Sequence, residues 1–264
     1  MYKRQLLFGS VFVIVLFSYS FFNRGSSVKK VVYTYFDDIP QWTREGQLEN
    51  ARQLQEWQRA WERAGWEPRI ISSRDIDREK YDVDSAVQNI PLGSNKEYDR
   101  ACYLRYFAMA SVGGGWMSDY DLIPIGLKPS AMPNGGRFTV HEYAVPSLVS
   151  GSQEEWERMA YVLTETGRNM MGKTDLFSDM MALQALPLDY FDHSTNVLGY
   201  DEKKGSILFE ETYSYMFCRN LMKWYGAHIS HEAMLKSENP NDPRDAVYRN
   251  VAEKVEACKT KFSR

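Results

Sequence analysis

Two aspartates, Asp119 and Asp121, stand two positions apart in the most informative stretch of the sequence. Side chains at positions i and i+2 of an extended segment point to the same side. Two carboxylates at the end of an apolar strand also need a compensating partner if they are buried. Carboxylate oxygens suit Mn²⁺ or Mg²⁺, so the pair predicts a divalent metal site that shares its ion with a substrate phosphate. The alternative is an ordinary surface loop, where Asp-x-Asp occurs by chance.

The residues before this acidic pair predict the elements that position it. Residues 96–112 carry an apolar stripe at helical spacing, and residues 113–115 are three glycines that end the helix. A short strand is predicted over residues 116–125, interrupted by the two aspartates. The glycines allow backbone and a bulky ligand to approach closely.

This stretch resembles the sugar-binding DXD region of one glycosyltransferase family, related to the yeast initiating α-1,6-mannosyltransferase and to the capsular polysaccharide synthases. The matching residues follow in the family's order and are Arg105-Tyr106, Gly113-Gly114, Trp116 and Asp119-Tyr120-Asp121. Two departures are visible. The gap from Arg105 to Asp119 is one residue longer than the family's usual pattern, and Cys102 stands where the family has an acidic residue.

The resemblance implies a GT-A-like (Rossmann-like) α/β fold with a mixed, mostly parallel sheet flanked by helices. It also implies a nucleotide-sugar donor, Mn²⁺ (or Mg²⁺), a glycan, glycolipid or glycoprotein acceptor, and transfer with retention of configuration. By the same pattern Asp121 ligates the metal, and Asp119 contacts the ribose or reaches the metal through water. Arg105 adds positive charge near the phosphates, unless it only orders the helix through a salt bridge. Trp116 is a candidate platform for the donor sugar, with core packing as the alternative.

Two late histidines, His228 and His231, are further candidates for the metal site. Transferases of the related group often supply a late histidine as a metal ligand. The alternative is a histidine on the surface or in the core, which is the commoner situation.

The end of the first predicted strand gives a second part of the donor site. Residues 31–36 predict a strand, residues 45–64 a helix and residues 66–71 a second strand, an order typical of a parallel α/β sheet. Ligands bind beyond the carboxyl ends of such strands. Tyr35 and Asp37 are therefore candidates for contacting a nucleobase, although Asp37 also fits a simple turn.

The acceptor side rests on two acids, Glu142 and Asp179. Glu142 lies in a strand predicted over residues 138–145, where it can stabilise or deprotonate an acceptor sugar. Asp179 lies near the start of the helix predicted over residues 175–186 and is either a catalytic acid or simply a cap or first-turn acid of the helix. Further along the chain we predict helices over residues 153–166 and 242–260 and a strand over residues 207–209.

The N-terminal residues predict attachment to a membrane. Residues 6–22 are apolar and uncharged between basic flanks, which indicates a signal anchor, with a cleaved signal peptide as the alternative. We expect residues 1–30 to be anchor and stem, and residues 31–264 to be one catalytic domain. The charges that flank the apolar segment nearly balance and do not orient it; the resemblance implies a type II orientation with the catalytic domain in the Golgi lumen. The three cysteines are an odd set without metal-like spacing and do not settle whether a disulfide forms. If one pair bridges in such a lumen, Cys218 with Cys258 is the pair that the sequence favours; free thiols are the alternative.

Composition limits the remaining functions. The chain has 264 residues, 44% of them hydrophobic, and a formal net charge of −3, which excludes a collagen, a long disordered chain and a polytopic membrane protein. It gives no reason to expect nucleic acid as a partner. Two other functions fit the acidic pair: an anchored carbohydrate-binding or scaffold protein on the same fold, and a metal-dependent phosphodiesterase, although the latter usually uses a denser acidic cluster.

Overall fold

The computed structural model describes residues 30–129, 132–199, 206–210, 212–230, 233–234 and 242–262. The predicted anchor and stem lie outside these residues, as does His231. Within the described ranges, no helix has the length and apolar character needed to cross a membrane.

A mixed, mostly parallel sheet flanked by helices forms the centre of the molecule, in agreement with the α/β prediction. Its strands lie in the order β2-β1-β3-β6-β5-β7. They are β1 (Val31–Tyr35), β2 (Glu67–Ile71), β3 (Gly114–Ser118), β5 (Thr139–Glu142), β6 (Val145–Ser152) and β7 (Asp192–His193). Strand β1 pairs in parallel with β2 and β3, and β5 pairs in parallel with β7, whereas β6 runs antiparallel to both its neighbours.

Helix α1 (Arg44–Arg63) makes the parallel crossover between β1 and β2, as predicted. Thr43 caps its first turn by accepting a hydrogen bond from the backbone of Gly46, and Gly65, at φ +86°, lets the chain leave the helix. One side of α1 packs against one face of the sheet, and its Trp57 and Trp61 rings are fully buried there. Burying side chains of this size contributes about 2–3 kcal/mol each, so this packing fixes α1 below the end of β1.

Helix α3 (Lys96–Ser111) lies on the other face of the sheet and delivers the chain to β3. The glycine turn after it has φ values of +94°, +74° and +118° at Gly113, Gly114 and Gly115. A Cβ on Gly114 would meet the backbone nitrogen of Gln153 at 2.6 Å, so only glycine fits where β3 meets the start of the helix that begins at Gln153.

The remaining helices complete the two outer layers. Helices α2 (Val83–Val87), α4 (Gln153–Arg168) and α5 (Asp179–Ala185) share a core with α3, whereas α6 (Tyr215–Leu221) and α7 (Arg244–Phe262) form a second core. A small sheet in the order β4-β9-β8 belongs to that second core, with β4 (Leu122–Pro124), β8 (Val197–Leu198) and β9 (Gly226–His228). A disulfide joins Cys218 of α6 to Cys258 of α7, which is the pair that the sequence favoured among its alternatives.

Four local predictions differ from the structure. The strand predicted over residues 116–125 is two strands, because the chain turns at the acidic pair. The strand predicted over residues 138–145 ends at Glu142, where a two-residue turn leads into β6. Strand β6 was not predicted because its serines and glycine interrupt the apolar pattern. Residues 206–209 form a 3₁₀ helix rather than a strand. The helix predicted over residues 175–186 begins only at Asp179, because Ser178 caps it.

Candidate active site

A tight turn between β3 and β4 presents Asp119 and Asp121. The amide of Leu122 donates to the carbonyl of Asp119 at 3.1 Å, and the amide of Asp119 donates to the carbonyl of Ser147 in β6 at 2.7 Å. The two carboxylates are therefore gathered by a turn anchored to the central sheet. The extended geometry inferred from their spacing is wrong, although both lie at the carboxyl end of β3, as expected.

Strand β9 brings His228 to the same turn. His228 is the register partner of Leu122 in the antiparallel β4-β9 pair, and the amide of Ile229 donates to the carbonyl of Asp121 at 3.0 Å. One ligand atom from each of Asp119, Asp121 and His228 lies within 4.8 Å of the others. The late histidine expected from the sequence therefore joins the acidic pair.

Glu142 fixes the orientation of the His228 ring. Nδ1 of His228 donates to Oε2 of Glu142 at 2.8 Å, and the hydroxyl of Ser147 donates to the same oxygen. With Nδ1 occupied in this way, Nε2 faces the aspartates and lies 3.4 Å from Oδ1 of Asp121. Glu142, predicted as an acceptor-side acid, is thus placed behind a candidate metal ligand.

Arg105 of α3 joins the acidic pair to Asp179. One guanidinium nitrogen donates to Oδ1 of Asp119 at 2.9 Å, and the other donates to Oδ2 of Asp179. Asp179 also accepts from the hydroxyl of Tyr106 at 3.1 Å and is 3% exposed. The salt bridge that the sequence offered as an alternative for Arg105 is present, and it spans two acids at the site.

A second arginine, Arg244, was not identified from the sequence. It is the first residue of α7, and its guanidinium donates to Oδ2 of Asp121. The guanidinium carbon also lies 5.1 Å from the centroid of the Tyr120 ring. No motif surrounds Arg244, and no spacing relates it to the acidic pair, so only the fold reveals it.

These groups line a cavity of about 350 Å³ beyond the carboxyl ends of β1 and β3. Aromatic rings form one wall, where Phe36 lies 5.6 Å from Trp42 and 5.8 Å from Tyr120 between ring centroids. Among the described residues that line the cavity are five aspartates, against two arginines and one histidine. Such an excess of acid attracts cations, and an anion can enter only with cations to balance it.

The electrostatics of the cavity follow from burial and from these close pairs. Burial raises the pKa of Asp119 to about 6, although the Arg105 guanidinium opposes the rise. Burial acts in the same direction on Asp121, but the charges of His228 and Arg244 outweigh it and hold that pKa below its ordinary value. Burial alone would lower the pKa of His228, yet Asp121 and Glu142 hold it well above its ordinary value. The two carboxylates therefore favour the protonated form of the His228 ring.

The arrangement fits a divalent cation held by Asp119, Asp121 and His228. Oδ1 of Asp121 is buried and has an ion pair with Nε2 of His228 at 3.4 Å, but it accepts no hydrogen bond from any described residue, so it can serve as a ligand for a cation. A cation would replace the proton on Nε2 of His228, and the Glu142 carboxylate behind the ring is the support that metal-bound histidines use. The carboxylates suit Mn²⁺ or Mg²⁺, and the imidazole favours Mn²⁺.

Of the other residues predicted to contact the donor, two line the cavity and one does not. Tyr35 and Asp37 line the cavity, where the Tyr35 hydroxyl donates to Asp37 and the Ser73 hydroxyl donates to the same carboxylate at 2.9 Å. Trp116 does not line the cavity. Its ring is 3% exposed and stacks on His141 at 5.0 Å between ring centroids, which agrees with the alternative of core packing. Alternation along β3 places Trp116 on the face packed against α1.

Comparison with known proteins gives one match, to the model of a domain of unknown function (DUF8765) over residues 26–137. The match includes Arg105 and both aspartates but ends before the chain reaches Glu142 and His228. No curated protein and no solved structure matches the chain.

Proposed function

We propose that the protein is a metal-dependent glycosyltransferase that moves a sugar from a nucleotide-sugar donor to a glycan, glycolipid or glycoprotein acceptor. The observation that carries the proposal is the cluster of Asp119, Asp121 and His228 at the rim of a cavity beside two arginines. The order of motifs around the DXD sequence supports it. The parallel β2-β1-β3 unit that ends at the acidic pair supports a GT-A-like fold.

The roles of the residues follow from their positions. Asp119, Asp121 and His228 would hold Mn²⁺ or Mg²⁺, which as a Lewis acid stabilises charge on the departing nucleoside diphosphate. Glu142 holds Nδ1 of His228 and so keeps Nε2 directed toward Asp121, where it could bind the metal. Arg105 lies beside Asp119 and adds positive charge at that end of the cavity.

The chemistry of the cavity lining suggests a place for the donor nucleobase and a role for Asp179. The rings of Phe36 and Trp42, with the hydroxyl of Tyr35, offer a stacking and hydrogen-bonding surface for a nucleobase. Asp179 is committed to Arg105 and Tyr106, so we assign it to positioning rather than to nucleophilic attack. This assignment supports retaining transfer in which the leaving phosphate accepts the acceptor proton.

Cellular location is part of the same proposal. We place the catalytic domain in the Golgi lumen behind an N-terminal type II anchor. The disulfide between Cys218 and Cys258 supports an oxidising compartment, because such bonds are rare in the cytosol.

The test is a panel of nucleotide sugars assayed with Mn²⁺, Mg²⁺ or EDTA, with release of nucleoside diphosphate and sugar transfer as readouts. We expect activity with at least one donor, its loss in EDTA, and a fall of at least about a hundred-fold in Asp121→Asn. The matched control is Asp84→Asn, which removes the same charge from an exposed salt bridge outside the cavity. Cleavage of phosphodiesters that carry no sugar, or unchanged glycan binding by Asp121→Asn without any turnover, would contradict the proposal.

A further inference from the structure

Arg244 lies at the N-terminus of α7, where an arginine does not stabilise the helix. It is the first residue of α7, a 19-residue helix, and so places a cation at the positive end of the helix dipole. The residue after it, Asp245, is the acid that such a helix start prefers, and it bonds to Arg249 one turn later at 3.2 Å. The reason for an arginine at this position therefore lies outside the helix, in the cavity.

The contacts of Arg244 combine a strong ion pair with incomplete hydrogen bonding. Its guanidinium donates to Oδ2 of Asp121 and, more weakly at 3.4 Å, to the hydroxyl of Tyr120. Nε is buried and has no hydrogen-bond partner among the described residues. A guanidinium with an unused buried donor is poorly satisfied by its present partners. One-quarter of the side chain is exposed, and it lines the cavity.

The ion pair also conflicts with the metal centre. Asp121 is the residue that Arg244 neutralises, and it is one of the three residues that would hold the cation. A guanidinium on one oxygen withdraws charge from the other, and a divalent ion beside it repels the guanidinium. Both cations therefore compete for a single buried carboxylate.

We propose that Arg244 is an exchangeable counter-ion, which neutralises Asp121 in the metal-free protein and turns to the donor diphosphate when a divalent cation takes that carboxylate. The inference rests on the proposed function and assigns a positioning role to a residue outside the DXD segment. Displaced from Asp121, the guanidinium still faces the cavity, where a diphosphate offers the paired oxygens that its fork of donors matches. A diphosphate oxygen would also satisfy the buried Nε.

Two measurements on the full chain have opposite expected signs. By calorimetry without nucleotide, Arg244→Met should bind Mn²⁺ about ten-fold more tightly than the unsubstituted protein, because one competing charge-assisted hydrogen bond is gone. At saturating Mn²⁺, the same variant should bind UDP and GDP about ten-fold more weakly. Arg249→Met is the matched control, since it removes an arginine from the same helix. The partners of Arg249 are Glu56 and Asp245, which lie outside the cavity lining. Both of its affinities should stay unchanged.

A readout without substitution covers the case in which Arg244→Met fails to fold. Phenylglyoxal modifies accessible arginines, and mass spectrometry locates the adducts. Mn²⁺ should increase modification of Arg244, and UDP added with Mn²⁺ should protect it. Modification that Mn²⁺ leaves unchanged or decreases would overturn the inference.

The outcomes separate this inference from the proposed function. If the unsubstituted protein binds no Mn²⁺, the metal centre itself fails and the role of Arg244 fails with it. A second outcome is that Mn²⁺ binds and Asp121→Asn weakens its binding, which supports the metal centre. If Arg244→Met then fails to tighten Mn²⁺ binding, or fails to weaken the binding of UDP and GDP, only the role of Arg244 is overturned. If Arg244 merely held α7 in place, Arg244→Met would lower thermal stability without tightening the binding of Mn²⁺.

Discussion

Replacing Glu142 with glutamine should weaken metal binding without removing a metal ligand. Oε2 of Glu142 accepts from Nδ1 of His228 at 2.8 Å, and the Glu142 side chain is 14% exposed, so its charge acts on the ring with little screening. Supporting carboxylates of this kind are worth about 10- to 100-fold in metal affinity. Because a carboxamide oxygen can still accept from Nδ1, we expect the lower end, a loss of about ten-fold.

A second variant moves the same carboxylate and leaves every charge in place. A Cβ on Gly199 would lie 2.0 Å from Oε1 of Glu142, and the clashing atom is the end of a flexible side chain. Gly199→Ala should therefore displace the Glu142 carboxylate from His228 while the backbone stays in position. We expect it to lower Mn²⁺ affinity by a similar factor, about ten-fold.

The assay is a titration of activity against Mn²⁺, together with direct calorimetry of Mn²⁺ binding. Both variants should shift the midpoint of the titration and recover most of their rate at saturating Mn²⁺. Glu157→Gln is the control, since Glu157 pairs with Lys80 on the surface. The reasoning is refuted if Glu142→Gln keeps its Mn²⁺ affinity but loses about a hundred-fold or more in rate at saturation, the result for a general base or acid.

Two further predictions concern stability. Cys258→Ser opens a loop that spans 40 residues and should lower the free energy of unfolding by roughly 4 kcal/mol, measured by guanidinium denaturation against the reduced and oxidised parent protein. Burial lowers the pKa of His141 from 6.5 to about 4, so the unfolded chain takes up this proton first and stability is lost as the pH falls through that window. The slope reaches about 1.4 kcal/mol per pH unit at most. His141→Gln should flatten the dependence, and equal slopes of unfolding free energy between pH 4 and 7 in both proteins would contradict it.

The elements that frame the site were predictable because their patterns are local. The buried stripe of α1 recurs at helical spacing, and the three glycines after α3 mark its end, so the order of strand, helix and strand followed from the sequence. Strand β6 was missed although it lies in the middle of the sheet. Its sequence, VPSLVSGS, contains three serines and a glycine, although the strand is buried on both faces. It therefore lacks the run of apolar residues by which a buried strand is usually predicted.

The residues of the candidate site likewise fall into those that the sequence identifies and those that only the fold reveals. Asp119 and Asp121 were found because they are close in sequence, and His228 because the chain has only four histidines. The partners of these ligands could not be found, because they come from distant segments joined only by packing. Glu142 was singled out, yet its place behind His228 depends on the approach of β9, and Arg244 depends on where α7 begins.

The candidate metal ligands lie on segments more than a hundred residues apart, in the turn before β4 and at the end of β9. In an unfolded chain they have no fixed arrangement, so an ion that needs all three recognises only the native form. By mass action, Mn²⁺ at a hundred times its dissociation constant would add about 2.7 kcal/mol to the free energy of unfolding. We therefore expect the lifetime of the native protein in a cell to follow the manganese supply of its compartment, and depletion of the ion to act on protein abundance as well as on turnover.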